Sequence, residues 1–254
     1  MNPRTLLVTG AGRGIGAATA RLAAARGWDV IVNYARDEAA ADGVAEQVRA
    51  AGRRAATLRA DVGDEAQVMA MYATLDRLVR EDGWAPLAGL VNNAGVVDAA
   101  ARVDQMSGAR ITRMFAINVF GTIWCAREAV RRMSTAHGGG GGAIVNVSSV
   151  ASTLGSPAQY VDYAASKGAV DVFTLGLGRE VAAEGVRVNA VRPGIIDTEI
   201  HASGGQPDRA RRLAPVIPMQ RPGSADEVAQ AIVWLLSDAA SYATGAVLDV
   251  TGGR

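Results

Sequence analysis

The chain has 254 residues, 49% of them hydrophobic and 20% charged, with 26 basic side chains against 25 acidic ones. A chain of this length buries enough surface to fold without a metal or disulfide staple, and a net charge of +1 gives no electrostatic pull toward nucleic acid or an anionic membrane. No apolar run approaches the ~20 residues that span a bilayer, so membrane insertion is not expected.

Short apolar runs followed by turn or cap residues predict strands over residues 5–9, 29–33, 55–59 and 87–91, then 143–147, 186–191 and 246–250. Between them, helical spacing predicts helices over 15–26, 38–51, 65–80, 163–184 and 225–236, with Asp64 and Ser224 as N-caps. Strands this apolar on both faces need helices on both sides, and alternation of strand and helix implies a mostly parallel sheet. The predicted fold is therefore α/β, a single-domain Rossmann fold with a doubly wound seven-stranded parallel sheet. No long linker and no internal repeat divides the chain, so one domain covers residues 1–254.

Gly138 to Gly142 is the only low-complexity segment; with no Lys-Ser or Lys-Thr after it, it reads as a flexible turn and not as a phosphate cradle. Residues 199–222 combine Gly, Pro and Arg after a strand end, the composition of a substrate lid and equally of a plain surface loop. The lone Cys125 has no disulfide partner, and His137 and His201 stand at no recognised zinc spacing, so no metal is expected. The only apolar run near the N-terminus is Leu6, Leu7 and Val8, and a cytoplasmic protein is the expectation.

The first strand runs into Thr9, Gly10, Ala11, Gly12, Arg13, Gly14, Ile15 and Gly16. Glycines in a strand-turn-helix unit let the backbone approach a pyrophosphate, and the helix N-terminus faces the anion with its positive end. At the end of the second strand, where a carboxylate ordinarily binds the ribose 2′-hydroxyl of NAD, stands Tyr34. Arg13 and Arg36 flank that position and suit a 2′-phosphate, so NADP(H) is the expected cofactor, with NAD(H) possible; Asp37 lies close enough to blur the register.

All but one of the 26 basic residues are arginine, the exception being Lys167. A compact, rotatable ammonium is not interchangeable with a guanidinium fork, which singles this residue out. Tyr163 lies four positions earlier and shares its helix face. A nearby ammonium favours the phenolate, making Tyr163 a candidate general acid and base. Ser149 completes the group; Ser148 adjoins it, and only one of two consecutive strand-end residues points into the site.

These features together resemble the short-chain dehydrogenase/reductase family. Thr9 to Gly16 is similar to its T-G-x-x-x-G-x-G turn, Asn92, Asn93, Ala94 and Gly95 to N-N-A-G, and Tyr163 to Lys167 to Y-x-x-x-K. Asp61 with Val62, Asn118 in Asn-Val-Phe-Gly, Ser149, and Pro193 with Gly194 match in the same order along the whole chain. The stretch 152–167 looks similar to glucose-dehydrogenase-like members, and 3-oxoacyl reductases are the neighbouring comparison.

The resemblance implies an oxidoreductase that interconverts a carbonyl and a secondary alcohol by hydride transfer from or to a nicotinamide. It implies that Tyr163 moves the proton, Ser149 holds the reacting oxygen, Lys167 binds the nicotinamide ribose and Asn118 keeps a water in the proton path. It further implies that Asp61 contacts adenine, Asn92 to Gly95 pass beside the adenosine ribose, and Ile196 and Thr198 engage the nicotinamide amide. A small-molecule carbonyl or alcohol substrate and a homotetramer are its expected partners. The competing reading is a catalytically idle NAD(P)-binding sensor or scaffold, which fold alone does not exclude.

Overall fold

In the computed structural model, which describes residues 4–254 apart from the side chain of His201, seven strands form one parallel sheet in the order β3-β2-β1-β4-β5-β6-β7. One of the two histidines weighed as zinc ligands thus has its side chain outside the described residues. The strands are β1 (Arg4–Val8), β2 (Trp28–Tyr34), β3 (Ala55–Arg59), β4 (Leu87–Asn92), β5 (Gly142–Val147), β6 (Val186–Pro193) and β7 (Val247–Val250). The chain starts mid-sheet, winds outward to β3, then returns across β1 to build β4 through β7. This places a topological switch point between β1 and β4, where a crevice opens at the carboxyl ends of the strands.

Successive strand residues face opposite sides of the sheet, and here both sides are apolar. Leu6, Val8, Val30 and Val32 pack under helices α1 (Gly14–Ala25), α2 (Glu38–Ala50) and α10 (Ala225–Leu236). Leu7, Ile31, Leu90 and Ile144 face the other way, against α3 (Glu65–Glu81) and α5 (Gly121–Met133). The chain is a single domain with helices flanking the sheet on both faces.

Asp64 caps α3 by accepting from the amides of Ala66 and Gln67, and Ser224 closes a reciprocal capping box with Glu227 at the start of α10. Asp37 caps α2 through the Ala40 amide, which accounts for the carboxylate that blurred the end of β2.

Three stretches differ from the sequence expectation. Between β4 and β5, where the strand-by-strand reading placed no helix, α4 (Gly108–Phe115) runs through a π-helical turn at Ala116–Phe120 into α5. The long helix predicted over 163–184 begins earlier and ends sooner, as α7 (Val161–Glu180); a 3-10 turn and Gly185 at φ +76 close it. The glycine run after α5 is an ordered turn, with the Gly139 and Gly141 amides donating to Ser134 and Met133 carbonyls.

Residues 199–222 fold into α8 (Ile200–Ser203), α9 (Arg209–Leu213) and a 3-10 turn, held by a small apolar cluster of Ile195, Ala210 and Ile217. Helix α6 (Ala151–Leu154) follows β5 and leads into α7. Among the described residues, no helix is long and apolar enough to cross a membrane.

Candidate active site

A cavity of about 690 Å³ opens at the switch point, along the carboxyl ends of the strands. Its first wall is the turn from β1 into α1, including Gly10, Gly12, Arg13, Gly14 and Ile15. Gly10 takes φ +60, and a Cβ there would lie 2.9 Å from the Ala94 backbone. Only glycine satisfies both constraints.

The turn is fastened to the strand beside it. Thr9 Oγ1 accepts from the amides of Asn93 and Ala94, both at 3.0 Å, and Asn93 Nδ2 donates to the Thr9 and Gly10 carbonyls. Gly16 lies beneath the cavity instead of lining it: a Cβ there would stand 2.5 Å from Asn93 Nδ2 and block this fastening.

Helix α1 differs from α2, α3 and α10 at its start. Its N-cap Arg13 is extended and makes no side-chain cap, and its first turn holds no acidic residue. Its first-turn amides therefore keep their positive end for a ligand, and the glycine wall leaves backbone room beside them. This combination fits a dinucleotide pyrophosphate, with Gly12 to Ile15 as the residues that would hold it.

At the end of β2 the Tyr34 phenol donates to Glu38 Oε1 at 2.7 Å, a hydrogen bond that raises its pKa. A carboxylate thus stands near the expected ribose position, supplied from α2. Arg13 and Arg36 both line the cavity, exposed, and neither has an ion pair or hydrogen bond to another described side chain. Asp61 and Val62 line the same region, and Asp61 Oδ1 is already used by the Gly63 amide at 2.9 Å.

On the other side of the switch point are Ala94, Gly95, Ser149, Tyr163 and Lys167, and behind them Pro193, Gly194, Ile196 and Thr198. The Thr198 side chain approaches within 3.6 Å of where a Cβ on Gly14 would lie, so the segment after β6 closes on the glycine turn.

The neighbouring serines separate as a strand end requires. Ser148 is buried and donates to the Lys167 carbonyl at 3.2 Å, whereas Ser149 hydrogen-bonds the Tyr163 phenol. Lys167 Nζ donates to the Val147 carbonyl at 2.7 Å and stands 5.8 Å from the centre of the Tyr163 ring. The tyrosine and lysine are therefore on one helix face and over one cavity.

Electrostatics here depart from the expectation that the ammonium draws the phenol down. Burial raises the Tyr163 pKa, and the influence opposing it is the Ser149 hydrogen bond. Burial pushes Lys167 down to about 8, with Asp171 one turn away acting to raise it. Both effects have one cause: a site with little water disfavours each charged form. At neutral pH the phenol keeps its proton and the ammonium its charge.

A pH dependence follows. Below pH 8 Lys167 is charged in both folded and unfolded chains and its burial is fully unfavourable; between 8 and 10.5 folding releases its proton, so stability gains with rising pH. The stability difference between wild type and Lys167→Met is expected to shift toward wild type by up to ~3 kcal/mol across that window. Denaturant unfolding of the two proteins at matched pH checks it, and a flat difference counts against the buried ammonium. The buried Cys125 thiol, pushed up to about 12, and the raised Tyr72 phenol oppose the trend above pH 9 but cancel in the difference.

Two predicted residues stand behind the cavity wall. Asn92 Nδ2 donates to Asn146 Oδ1 at 2.9 Å and to the Thr122 carbonyl, and Asn146 passes the chain on to Thr174 of α7. It joins β4, β5 and two helices in the sheet interior. Asn118, in the π-helical turn, accepts from the Val96 amide at 2.8 Å and donates to the Val96 carbonyl and Ser166 Oγ. It pins the loop after β4 to α7, and its Oδ1 lies 3.5 Å from where a Cβ on Gly95 would be, as does Lys167 Nζ.

Residues that the motifs did not identify also shape the site. Val96, Val97 and Tyr160 line it, as do Arg113, Arg209 and Arg254. Arg110 clamps Asp162, the residue before Tyr163, with Nε to Oδ2 at 2.8 Å and Nη2 to Oδ1 at 3.2 Å, and donates to the Ala99 carbonyl. No local signal marks this pair, because its members lie 52 positions apart.

A doubly wound sheet with a glycine turn at its switch point, and a serine, tyrosine and lysine across the same cavity, defines a nucleotide-dependent oxidoreductase class. The family model described as enoyl-(acyl carrier protein) reductase matches residues 10–254. The uncharacterized oxidoreductase YgfF of Escherichia coli (strain K12) is 56% identical over 248 residues, covering 98% of each chain. The cis-4-hydroxycyclohexanecarboxylate dehydrogenase of Sinomonas cyclohexanicum is 42% identical over 98% of this chain and 96% of its own. A crystal structure of a short-chain dehydrogenase from Burkholderia cenocepacia J2315 in complex with NADP superposes with a TM-score of 0.87 at 32% identity, covering 98% of this chain and 97% of that one. The chain belongs to the short-chain dehydrogenase/reductase family. It is an NAD(P)-dependent enzyme that acts on small-molecule carbonyls and alcohols.

Proposed function

We propose that the protein interconverts a carbonyl and a secondary alcohol with NADP(H) as the preferred cofactor and Tyr163 as the general acid and base. The single observation that carries this is the convergence of Ser149, Tyr163 and Lys167 on a cavity whose opposite end is the uncapped start of α1. The nicotinamide supplies the hydride in reduction and accepts it in oxidation.

In this reading Ser149 donates to the substrate oxygen and fixes it beside the phenol. Tyr163, protonated at neutral pH, gives its proton to that oxygen as negative charge develops there, and recovers it in the reverse direction. Lys167 lies over the face of the same ring, where its charge stabilises the phenolate that the transfer leaves. Asn118 acts one step removed, holding the Val96 backbone against α7. A panel of aldehydes, ketones, quinones, sugars and acyl thioesters with NADPH tests the reaction; consumption with none of them supports the idle sensor instead.

Preference for NADP(H) is supported by Arg13 and Arg36, two uncommitted guanidinium groups at the ribose end, and by the NADP-bound relative. Arg36→Ala is expected to weaken NADPH binding about tenfold or more, the scale of one charge-assisted phosphate contact, and to leave NADH nearly unaffected. Fluorescence titration with both nucleotides measures it, and equal wild-type affinities would remove the preference.

The segment 199–222 is the proposed substrate lid. Exposed Phe120, Val172, Leu175, Trp234 and Leu248 on helices and the edge strand support a homotetramer. A cytoplasmic location completes the proposal.

A further inference from the structure

Arg209, the first residue of α9, lines the same cavity as Tyr163 and lays its guanidinium 5.1 Å from the centre of the Tyr160 ring. Gln206 Nε2 donates to the Tyr160 hydroxyl at 2.5 Å, while its Oε1 accepts from Arg209 and from Arg212. Arg254 lines the cavity as well, and its charge, like that of Arg212, is close enough to act on Arg209.

The arrangement is electrostatically lopsided. Elsewhere the buried or half-buried arginines are matched: Arg110 to Asp162, Arg132 to Asp76 and Glu128, Arg192 to Asp171. Arg187 has no ion pair among the described residues but directs its donors to the Leu235, Ser237 and Ala243 carbonyls. Half-buried Arg209 has one side-chain amide oxygen and no carboxylate within ion-pair distance among the described residues. Of the carboxylates that line the cavity, Asp37 caps α2, Asp61 holds the Gly63 amide and Glu199 lies toward Gly14, and none forms an ion pair with Arg209. A half-buried guanidinium with no carboxylate partner, facing the exposed charges of Arg212 and Arg254, gains when a ligand anion neutralises it.

We propose that Arg209, supported by Arg254, receives a carboxylate carried by the substrate, so that the enzyme acts on carbonyl or hydroxy acids in preference to neutral analogues. The inference rests on the oxidoreductase reading of this cavity and deepens it. Arg209 presents a planar fork suited to two carboxylate oxygens, and its stacking on Tyr160 fixes the fork beside the start of α7. The anion thereby orients the far end of a substrate whose carbonyl lies at Tyr163.

Calorimetry of the NADP+ complex with 4-formylbenzoate and with its methyl ester tests the site, the two probes differing in the carboxylate charge and one methyl group. Wild type is expected to bind the acid at least tenfold tighter than the ester. That ratio should fall close to one in Arg209→Gln and recover in part in Arg209→Lys, with NADPH affinity showing that each variant is folded. Equal wild-type affinities, a ratio that survives Arg209→Gln, or binding of neither probe overturns the proposal. If discrimination in binding holds but NADPH is consumed with no member of the carbonyl panel, the oxidoreductase reading fails and the anion site stands.

Discussion

Tyr163→Phe is expected to lower kcat by roughly 10²- to 10⁴-fold, the range that a positioned proton donor supplies, while NADPH affinity stays within about twofold of wild type. The substitution removes one oxygen and keeps the ring that Lys167 faces, so packing of α7 against the cavity is preserved. The Ser149 hydroxyl loses one hydrogen-bond partner but keeps the Ala151 amide, which donates to it at 3.1 Å. Stopped-flow measurement of NADPH oxidation, with nucleotide binding measured on the same sample, separates chemistry from binding. Turnover at the wild-type rate would assign the proton transfer to another group.

The second large effect is expected at Arg110. Its bidentate bridge with Asp162 is nearly sealed from solvent, with side-chain exposures of 10% and 3%. Arg110→Ala strands a buried carboxylate, and removal of one partner from such a pair destabilises a protein by about 3–5 kcal/mol. For a chain of this size that corresponds to a fall in Tm of roughly 10 °C. Because the pair also ties the Ala99 carbonyl to the start of α7, activity should fall along with stability. Replacing both charges, in Arg110→Met with Asp162→Leu, should recover most of the stability, since no uncompensated charge remains. Calorimetric unfolding of wild type and the two variants checks the sign and the order.

The strand and helix pattern was legible because it is local. Apolar pairs such as Leu6 with Leu7, and Val30 with Ile31, announce a sheet covered on both faces, and Asp64 and Ser224 announce helix starts within three residues of the amides they bind. The helices between β4 and β5 were harder to see. Gly108 and Gly121 interrupt the stretch, and its π-helical turn breaks the 3.6-residue period from which a helix is recognised. Glu38, which takes the Tyr34 phenol, was legible only as a helix-start residue.

Spacing along the chain was enough to nominate the glycine turn, Ser149, Tyr163 and Lys167, because each motif is a few residues long and its geometry is set by one turn or one helix face. It did not reveal that Asn92 and Asn118 hydrogen-bond into the interior behind the wall, that burial raises the Tyr163 pKa, or that Arg209 has no ion pair among the described residues. Those properties depend on which distant segments meet and how much water they exclude. Periodicity and turn chemistry act over a handful of bonds, whereas hydrogen-bond partners, desolvation and unmatched charge arise only once the sheet has brought residues tens of positions apart into contact.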